Sequence, residues 1–200
     1  MDSARRLAME VLGNGLDASG RYKDALSVGE AELSMKRRTG TSVNSILVTQ
    51  SNLASTYLKL GRFEEALQVQ RDVYSGWLKL LGEEHERTLI TANNYAHCLL
   101  CLRKCEEAKP LLRRTIPVAR RVLGEGNENT LRLRWNYAQL LYRDDGATLD
   151  ELHEAVSTLE DTDRIARRVL GGAHPHTEGI ASQLRNARAA LRARETPPTA

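Results

Sequence analysis

The chain has 200 residues, of which 41% are hydrophobic and 28% are charged, so it can bury a core and is not a disordered polar tail. Aromatic residues make up only 4% of it while Leu and Ala dominate, which favours an all-α fold and disfavours a β-sandwich or barrel. The net charge of +3 is weak and spread along the chain, which argues against a nucleic-acid-binding protein.

The N-terminal residues run straight into amphipathic sequence, without the apolar core and cleavage site of a signal peptide. No apolar run approaches the ~20 residues that span a bilayer. The sequence therefore predicts a cytoplasmic protein that does not bind membranes.

Three short motifs recur along the chain in one register. The first occurs at residues 20–26, 61–67, 103–108 and 152–155, and its alanine recurs at residues 25, 66, 108 and 155, in steps of 41, 42 and 47 residues. The second is Asn-x-Ala, which begins at Asn52, Asn94 and Asn136 in equal steps of 42 residues. The third is a Leu-Gly pair at residues 81–82, 123–124 and 170–171. Motifs that keep a common register indicate an internal repeat.

Each repeat contains two stretches of apolar residues at helical spacing, separated by a turn; Leu53, Ala54, Tyr57 and Leu60 form one such stretch. Alanines at the expected helix crossings let two antiparallel helices approach closely. The sequence thus predicts helical hairpins at residues 3–40, 44–82, 87–124 and 129–171, a terminal helix at 177–194 and a disordered tail at 195–200.

Local signals place an insertion and several helix starts. The longer third step requires extra residues, which we expect at 144–148. Thr148 and Glu151 have the spacing of a capping box that begins the next helix. His85, Asn127 and His174 share one position in the repeat, and we expect them to be hydrogen-bonding caps, because Asn replaces His more readily as a cap than as a metal ligand.

The repeat resembles the tetratricopeptide repeat (TPR), and its longer step is similar to that of the variant found in kinesin light chains. The residues that carry the resemblance are 94–96, 105–112 and 170–175. It implies a single TPR-like domain over residues 1–194, folded as an all-α, right-handed α-solenoid whose concave face is lined by the first helix of each repeat. It also implies that Asn52, Asn94 and Asn136 lie where kinesin light chains place the groove asparagines that hold cargo peptides.

Each first helix also carries polar side chains that lie outside its predicted buried apolar stripe. Asn can both donate to and accept from the main chain of an extended peptide, Arg adds positive charge and Trp adds an aromatic platform. The predicted peptide-binding groove comprises Asn52, Ser55, Lys59, Asn93, Asn94, His97, Arg132, Trp135, Asn136, Gln139 and Arg143.

The spacing of Cys98, Cys101 and Cys105 is the one pattern that suggests metal or redox chemistry. The repeat register places Cys105 at a core position shared with Tyr22 and Phe63, and only Cys101 at an exposed one. One helix rarely supplies the four ligands of a zinc site, so we expect free thiols, no metal and no cofactor. Phosphate-binding loops and nucleophile motifs do not occur in the sequence, which predicts no enzymatic activity.

The sequence as a whole predicts a protein-interaction module that binds an extended or short helical peptide segment in the groove. Acidic or aromatic-acidic segments are the favoured ligands, because Arg132 and Arg143 add positive charge there. The alternative is a scaffold or self-assembly unit that associates through its ends or its convex face. The oligomeric state stays open between the two.

Overall fold

The chain is helical throughout the part that the structure describes. This computed structural model describes residues 2–196, except for the side chains of residues 2, 3 and 6. Within that range it contains nine α-helices and no strand, so the predicted all-α fold is confirmed there. The helices are α1 Asp2–Ala18, α2 Tyr22–Arg38, α3 Val43–Lys59, α4 Phe63–Leu81, α5 Glu86–Cys101, α6 Cys105–Leu123, α7 Glu128–Arg143, α8 Leu149–Val169 and α9 Pro175–Glu195.

Two compact units divide the chain. The N-terminal unit, Met1–Gly82, contains α1 to α4, and the C-terminal unit, Glu83–Ala200, contains α5 to α9. In each unit every helix packs against the next one along the chain, as helical hairpins require. Alanines occupy the tightest crossings, and Ala54, Ala66, Ala96, Ala108 and Ala138 are fully buried.

The turn inside each hairpin ends the first helix in the same way. The amides of Arg21, Arg62 and Lys104 donate to carbonyls five residues earlier, at 2.9 Å each. The residue before each of these amides has a positive φ, which glycine adopts without strain at Gly20 and Gly61. The third copy has Arg103 there, with a φ of 56°. The recurring motif at residues 20, 61 and 103 is therefore a helix stop.

The core of the N-terminal unit is apolar in one hairpin and polar in the other. Leu47, Val73 and Trp77 form a buried apolar cluster. In α2 the positions equivalent to Val73 and Trp77 hold Glu32 and Lys36, which are buried and paired at 2.6 Å. Lys36 Nζ also donates to Thr49 Oγ1 at 2.8 Å. This charged pair is buried with its hydrogen bonds satisfied, the condition under which buried ions are tolerated.

The insertion lies where the sequence predicts it, in the C-terminal unit between α7 and α8. Thr148 and Glu151 form the expected capping box at the start of α8. Lys109 of α6 is buried beside the insertion and donates to carboxylates of Asp144 and Glu151 at 2.8 Å each. Since equivalent positions in the other hairpins are apolar, Lys109 is specific to the hairpin that precedes the insertion.

The shared repeat position of the two histidines and the asparagine is a helix cap, as predicted. His85 Nδ1, Asn127 Oδ1 and His174 Nδ1 each accept a hydrogen bond from the amide two residues later, at 3.1, 2.9 and 3.2 Å. These bonds satisfy amides at the N-termini of α5, α7 and α9, which have no partner within the helix.

The terminal helix is slightly longer than expected. It runs from Pro175 to Glu195, so Glu195 belongs to α9 and not to the predicted tail. Residues 197–200 of that tail lie outside the described residues.

Candidate functional site

The groove residues predicted in the N-terminal unit lie together in a cleft. Asn52, Ser55 and Lys59 of α3 line a cavity of about 310 Å³ together with Glu10, Asn14 and Asp17 of α1, among others. Two glycines, Gly13 and Gly29, also contribute to its wall, where larger side chains would reduce its volume. The first helix of this unit thus supplies acidic and amide groups that the sequence reasoning did not select.

The charge in this cleft is balanced from within the unit. The Lys59 ammonium forms an ion pair with the Asp17 carboxylate and lies 5.3 Å from the centre of the Tyr22 ring. The position of Asp17 gives no signal in the motifs, because α1 lacks the Asn-x-Ala sequence that marks the other first helices. Lys59 is therefore not an unpaired cation awaiting an acidic ligand.

In the C-terminal unit, the predicted asparagines do not share one environment. Asn93 and Asn136 are buried, and Asn136 Nδ2 donates to Asn93 Oδ1 at 2.9 Å. This bond joins α5 to α7. Asn94 is half-buried and Asn52 is exposed. The repeat register placed Asn52, Asn94 and Asn136 in one equivalent row, but the amide of Asn136 is engaged inside the protein.

Trp135 packs beneath the last helix. A Cβ atom on Gly179 of α9 would lie 2.6 Å from Trp135 Cη2, so the indole fits only because that position has no side chain. The His176 ring meets the indole edge-on, with 6.1 Å between centroids. The aromatic platform predicted for the groove is thus largely a packing contact between α7 and α9.

Two arginines of the predicted groove lie on one surface of the unit, made of Asn94, His97 and Cys101 from α5 and Arg132 and Arg143 from α7. We call it the α5–α7 surface. The spacings within each helix are three, four or eleven residues, so the side chains on that helix share a face. The Arg143 guanidinium donates to Gln139 Oε1 at 3.3 Å, which holds it against the buried Gln139 amide.

Neither arginine of this surface has a carboxylate partner among the residues that the structure describes. Elsewhere in the same unit, Arg103 pairs with Asp145 and Arg121 with Glu84, at 2.8 Å each. The unpaired charges of Arg132 and Arg143 act on His97 instead. Burial lowers the pKa of the His97 imidazole, and the two arginines lower it further.

The three cysteines lie at or near this surface, and all are free thiols. Cys98 and Cys105 are buried and Cys101 is half-buried, and burial raises the pKa of the Cys98 thiol to about 12. Cys101 Sγ lies 4.0 Å from His97 Nε2. Within residues 2–196 there is no group of three His, Cys, Asp or Glu side chains placed to hold a metal ion. The thiols are protonated at neutral pH and weakly nucleophilic.

The repeated helical hairpins, with glycine stops and small residues at the crossings, are similar to those of known proteins. Residues 45–121 match the tetratricopeptide repeat family. Over these residues the chain is similar to tetratricopeptide repeats. The resemblance predicted from its recurring motifs is thereby confirmed. Among curated protein sequences, no relative matches it.

Solved structures of TPR-like repeats share the fold. One is a crystal structure of kinesin light chain repeats from Podosopora anserina, described as nearly identical TPR-like repeats, in a form with one substitution. Its TM-score with this chain is 0.79 at 22% identity, and the match covers 98% of this chain and 90% of the other. A second structure of these repeats gives 0.76 at 22% identity, with 96% and 89% covered. BtubC (BKLC) from P. vanneervenii gives 0.64 at 18% identity, with 100% and 91% covered.

These similarities confirm the predicted fold class, an all-α helical repeat solenoid. The TPR-like fold supports a general role in protein–protein interaction. Among the helices described, none has the combination of length and apolar sequence that crossing a membrane would require.

Proposed function

We propose that the TPR chain binds an acidic peptide segment on the α5–α7 surface, without catalysing a reaction. The observation that carries the proposal is the pair of cations Arg132 and Arg143, which no carboxylate neutralises within the described residues. A guanidinium gains most when two of its N–H groups meet one carboxylate, and such charge-assisted bonds are about twice as strong as neutral ones. An Asp- or Glu-containing segment supplies this partner.

The polar groups around the arginines suit a main chain as well as a charge. The half-buried Asn94 of this surface has a side-chain amide that can both donate and accept. Asn93 and Asn136 hold each other beneath the surface, and Gln139 holds Arg143. Buried amides of this kind reduce the number of rotamers that binding must fix, which lowers its entropic cost.

The cleft of the N-terminal unit would contribute to peptide binding in a different way. Because Lys59 is already paired with Asp17, this cleft offers hydrogen-bonding groups rather than net positive charge. We therefore assign the preference for acidic ligands to the C-terminal unit. Protonated free thiols in this unit favour a reducing compartment such as the cytoplasm.

The test uses pairs of labelled synthetic peptides, each acidic peptide matched by a counterpart with Asn and Gln in place of Asp and Glu. Binding to the full chain is measured by fluorescence anisotropy at low salt. We expect acidic peptides to bind more tightly than their counterparts, with affinity that falls as salt rises. The double variant Arg132→Gln, Arg143→Gln should weaken binding at least ~tenfold, which corresponds to about 1.4 kcal/mol.

A matched control removes the same charge elsewhere on the C-terminal unit. Arg168 and Arg192 are exposed and, among the described residues, have no carboxylate partner either. The double variant Arg168→Gln, Arg192→Gln should change the affinity less than ~twofold, because charges outside the binding surface act mainly through long-range attraction. Equal losses in both double variants, or no preference for the acidic member of any pair, would rule out the α5–α7 surface.

A further inference from the structure

The first helix exposes an apolar face that no described residue covers. Three of its large side chains are mostly exposed, Leu7 at 63%, Val11 at 64% and Leu12 at 53%. Ala4, Ala8, Gly15 and Ala18 are exposed between them. At 100° per residue these seven positions fill an arc of about 140° that contains no charged residue. Exposed apolar surface of this continuity marks a contact with another molecule or segment.

The repeat register shows what kind of element fits on this face. Leu12 occupies the position of Leu53, 41 residues later. Leu53 of α3 packs tightly on α2, because a Cβ atom on Gly29 would lie 2.7 Å from its Cδ2 atom. A leucine at this position thus inserts against a small residue of a neighbouring helix. The small residues around Leu12 allow such a helix to approach α1 closely.

The last helix cannot supply that partner from a second copy. The exposed side chains of α9 include Glu178, Arg185, Arg188 and Arg192. Packing them on the apolar face of α1 would remove charges from water without compensating partners. A head-to-tail contact between copies is therefore unfavourable. The face of α1 itself is the matching surface, since Leu7 and Gly15 lie four residues to either side of Val11 and a large residue can therefore meet a small one between antiparallel copies.

We propose that α1 is the contact of a weak homodimer, in which it packs antiparallel on α1 of a second copy with Val11 at the two-fold axis. In this arrangement Leu7 of one copy faces Gly15 of the other, so a large side chain meets a gap. The contact is isologous and closes on itself, which limits the assembly to two copies. A helix of 17 residues is only ~25 Å long. The buried area then falls below the ~1,200 Å² of stable complexes, so the dimer is weak.

Sedimentation velocity on the full chain tests this from about 5 µM to about 500 µM, the range in which a weak complex with a micromolar Kd forms. We expect a concentration-dependent shift from monomer to dimer and no larger species. Val11→Glu should raise the dimer Kd at least ~tenfold, because it places two carboxylates at the centre of the contact. The matched control is Val43→Glu, at an equally exposed apolar position of α3 (59% exposed), which should leave the Kd unchanged.

Cross-linking tests the geometry of the contact directly. Val11→Cys should form a disulfide-linked dimer on mild oxidation, because the two-fold axis brings the two sulfur atoms together. Val43→Cys should form at least ~tenfold less disulfide-linked dimer under the same conditions. A monomer at every concentration would overturn the proposal and leave the α1 face to a helix of another protein. Growth into larger oligomers, or a dimer that Val11→Glu does not weaken, would also overturn it.

Discussion

Replacing Lys109 by Met should destabilise the protein, because it leaves neighbouring carboxylates without their cation. The Lys109 side chain is 8% exposed, and its ammonium contacts Glu106 at 2.9 Å and Asp144 and Glu151 at 2.8 Å each. Methionine keeps the length and apolar stem of the side chain but removes the charge. Asp144 and Glu151 then face each other without a cation between them.

The size of the effect follows from their burial. Removing one partner of a fully buried ion pair costs about 3–5 kcal/mol. Asp144 and Glu151 remain 24% and 20% exposed, so water can replace part of what Lys109 provides. We expect the free energy of unfolding to fall by about 2–3 kcal/mol near neutral pH. The control Lys104→Met removes the same charge from an exposed pair with Glu107 and should cost less than about 0.5 kcal/mol.

The stability difference between wild type and Lys109→Met should also depend on pH, in a direction that the pKa shifts determine. Hydrogen bonds from Lys109 are the main reason that the pKa values of Asp144 and Glu151 lie below their ordinary range. Carboxyls with lowered pKa values stabilise the folded state above their unfolded pKa, and this contribution is lost as pH falls through the folded pKa. In Lys109→Met, protonation instead relieves repulsion between the two carboxylates. The difference in stability between wild type and Lys109→Met should therefore narrow on acidification below about pH 4.5.

Urea denaturation followed by far-UV circular dichroism, at neutral and acidic pH, measures both parts of this prediction. The reasoning fails if Lys109→Met costs no more than Lys104→Met near neutral pH. It fails equally if the difference between Lys109→Met and wild type widens as the pH falls.

Two further predictions concern a buried amide and a titrating histidine. Gln70 is fully buried, its side-chain amide has no partner among the described residues, and the equivalent residue of the next repeat is Leu112. Gln70→Leu should raise the free energy of unfolding by about 1–3 kcal/mol, whereas the exposed control Gln68→Leu should change it by less than about 0.5 kcal/mol; a loss of stability in Gln70→Leu would contradict this. At the α5–α7 surface, the pKa of His97 is lowered by burial and by Arg132 and Arg143, and a bound acidic peptide would raise it. Affinity for acidic peptides should therefore increase as pH falls from about 7 to about 5.5, and a slope that persists in His97→Gln would show that another group is responsible.

The local architecture could be read from the sequence because its causes lie within a few neighbouring residues. Helical spacing of apolar residues determines which face of a helix is buried. A glycine at Gly20 or Gly61 ends a helix through its own φ, and Thr148 begins one through a bond to the amide three residues later. Copies of these signals at a fixed step also revealed the repeat and the position of its insertion.

Tertiary structure decided which of the predicted groove residues remain accessible. The register treated Asn94 and Asn136 as equivalents, yet Asn136 is buried against Asn93. Lys59 carries a charge that Asp17, 42 residues away, neutralises, whereas Arg132 and Arg143 find no carboxylate partner in the part of the chain that the structure describes. No local pattern records these partners, because each depends on which distant side chains the packing of helices brings within hydrogen-bond distance. The sequence by itself thus determines the hairpins, and the packing between helices selects the side chains available to bind.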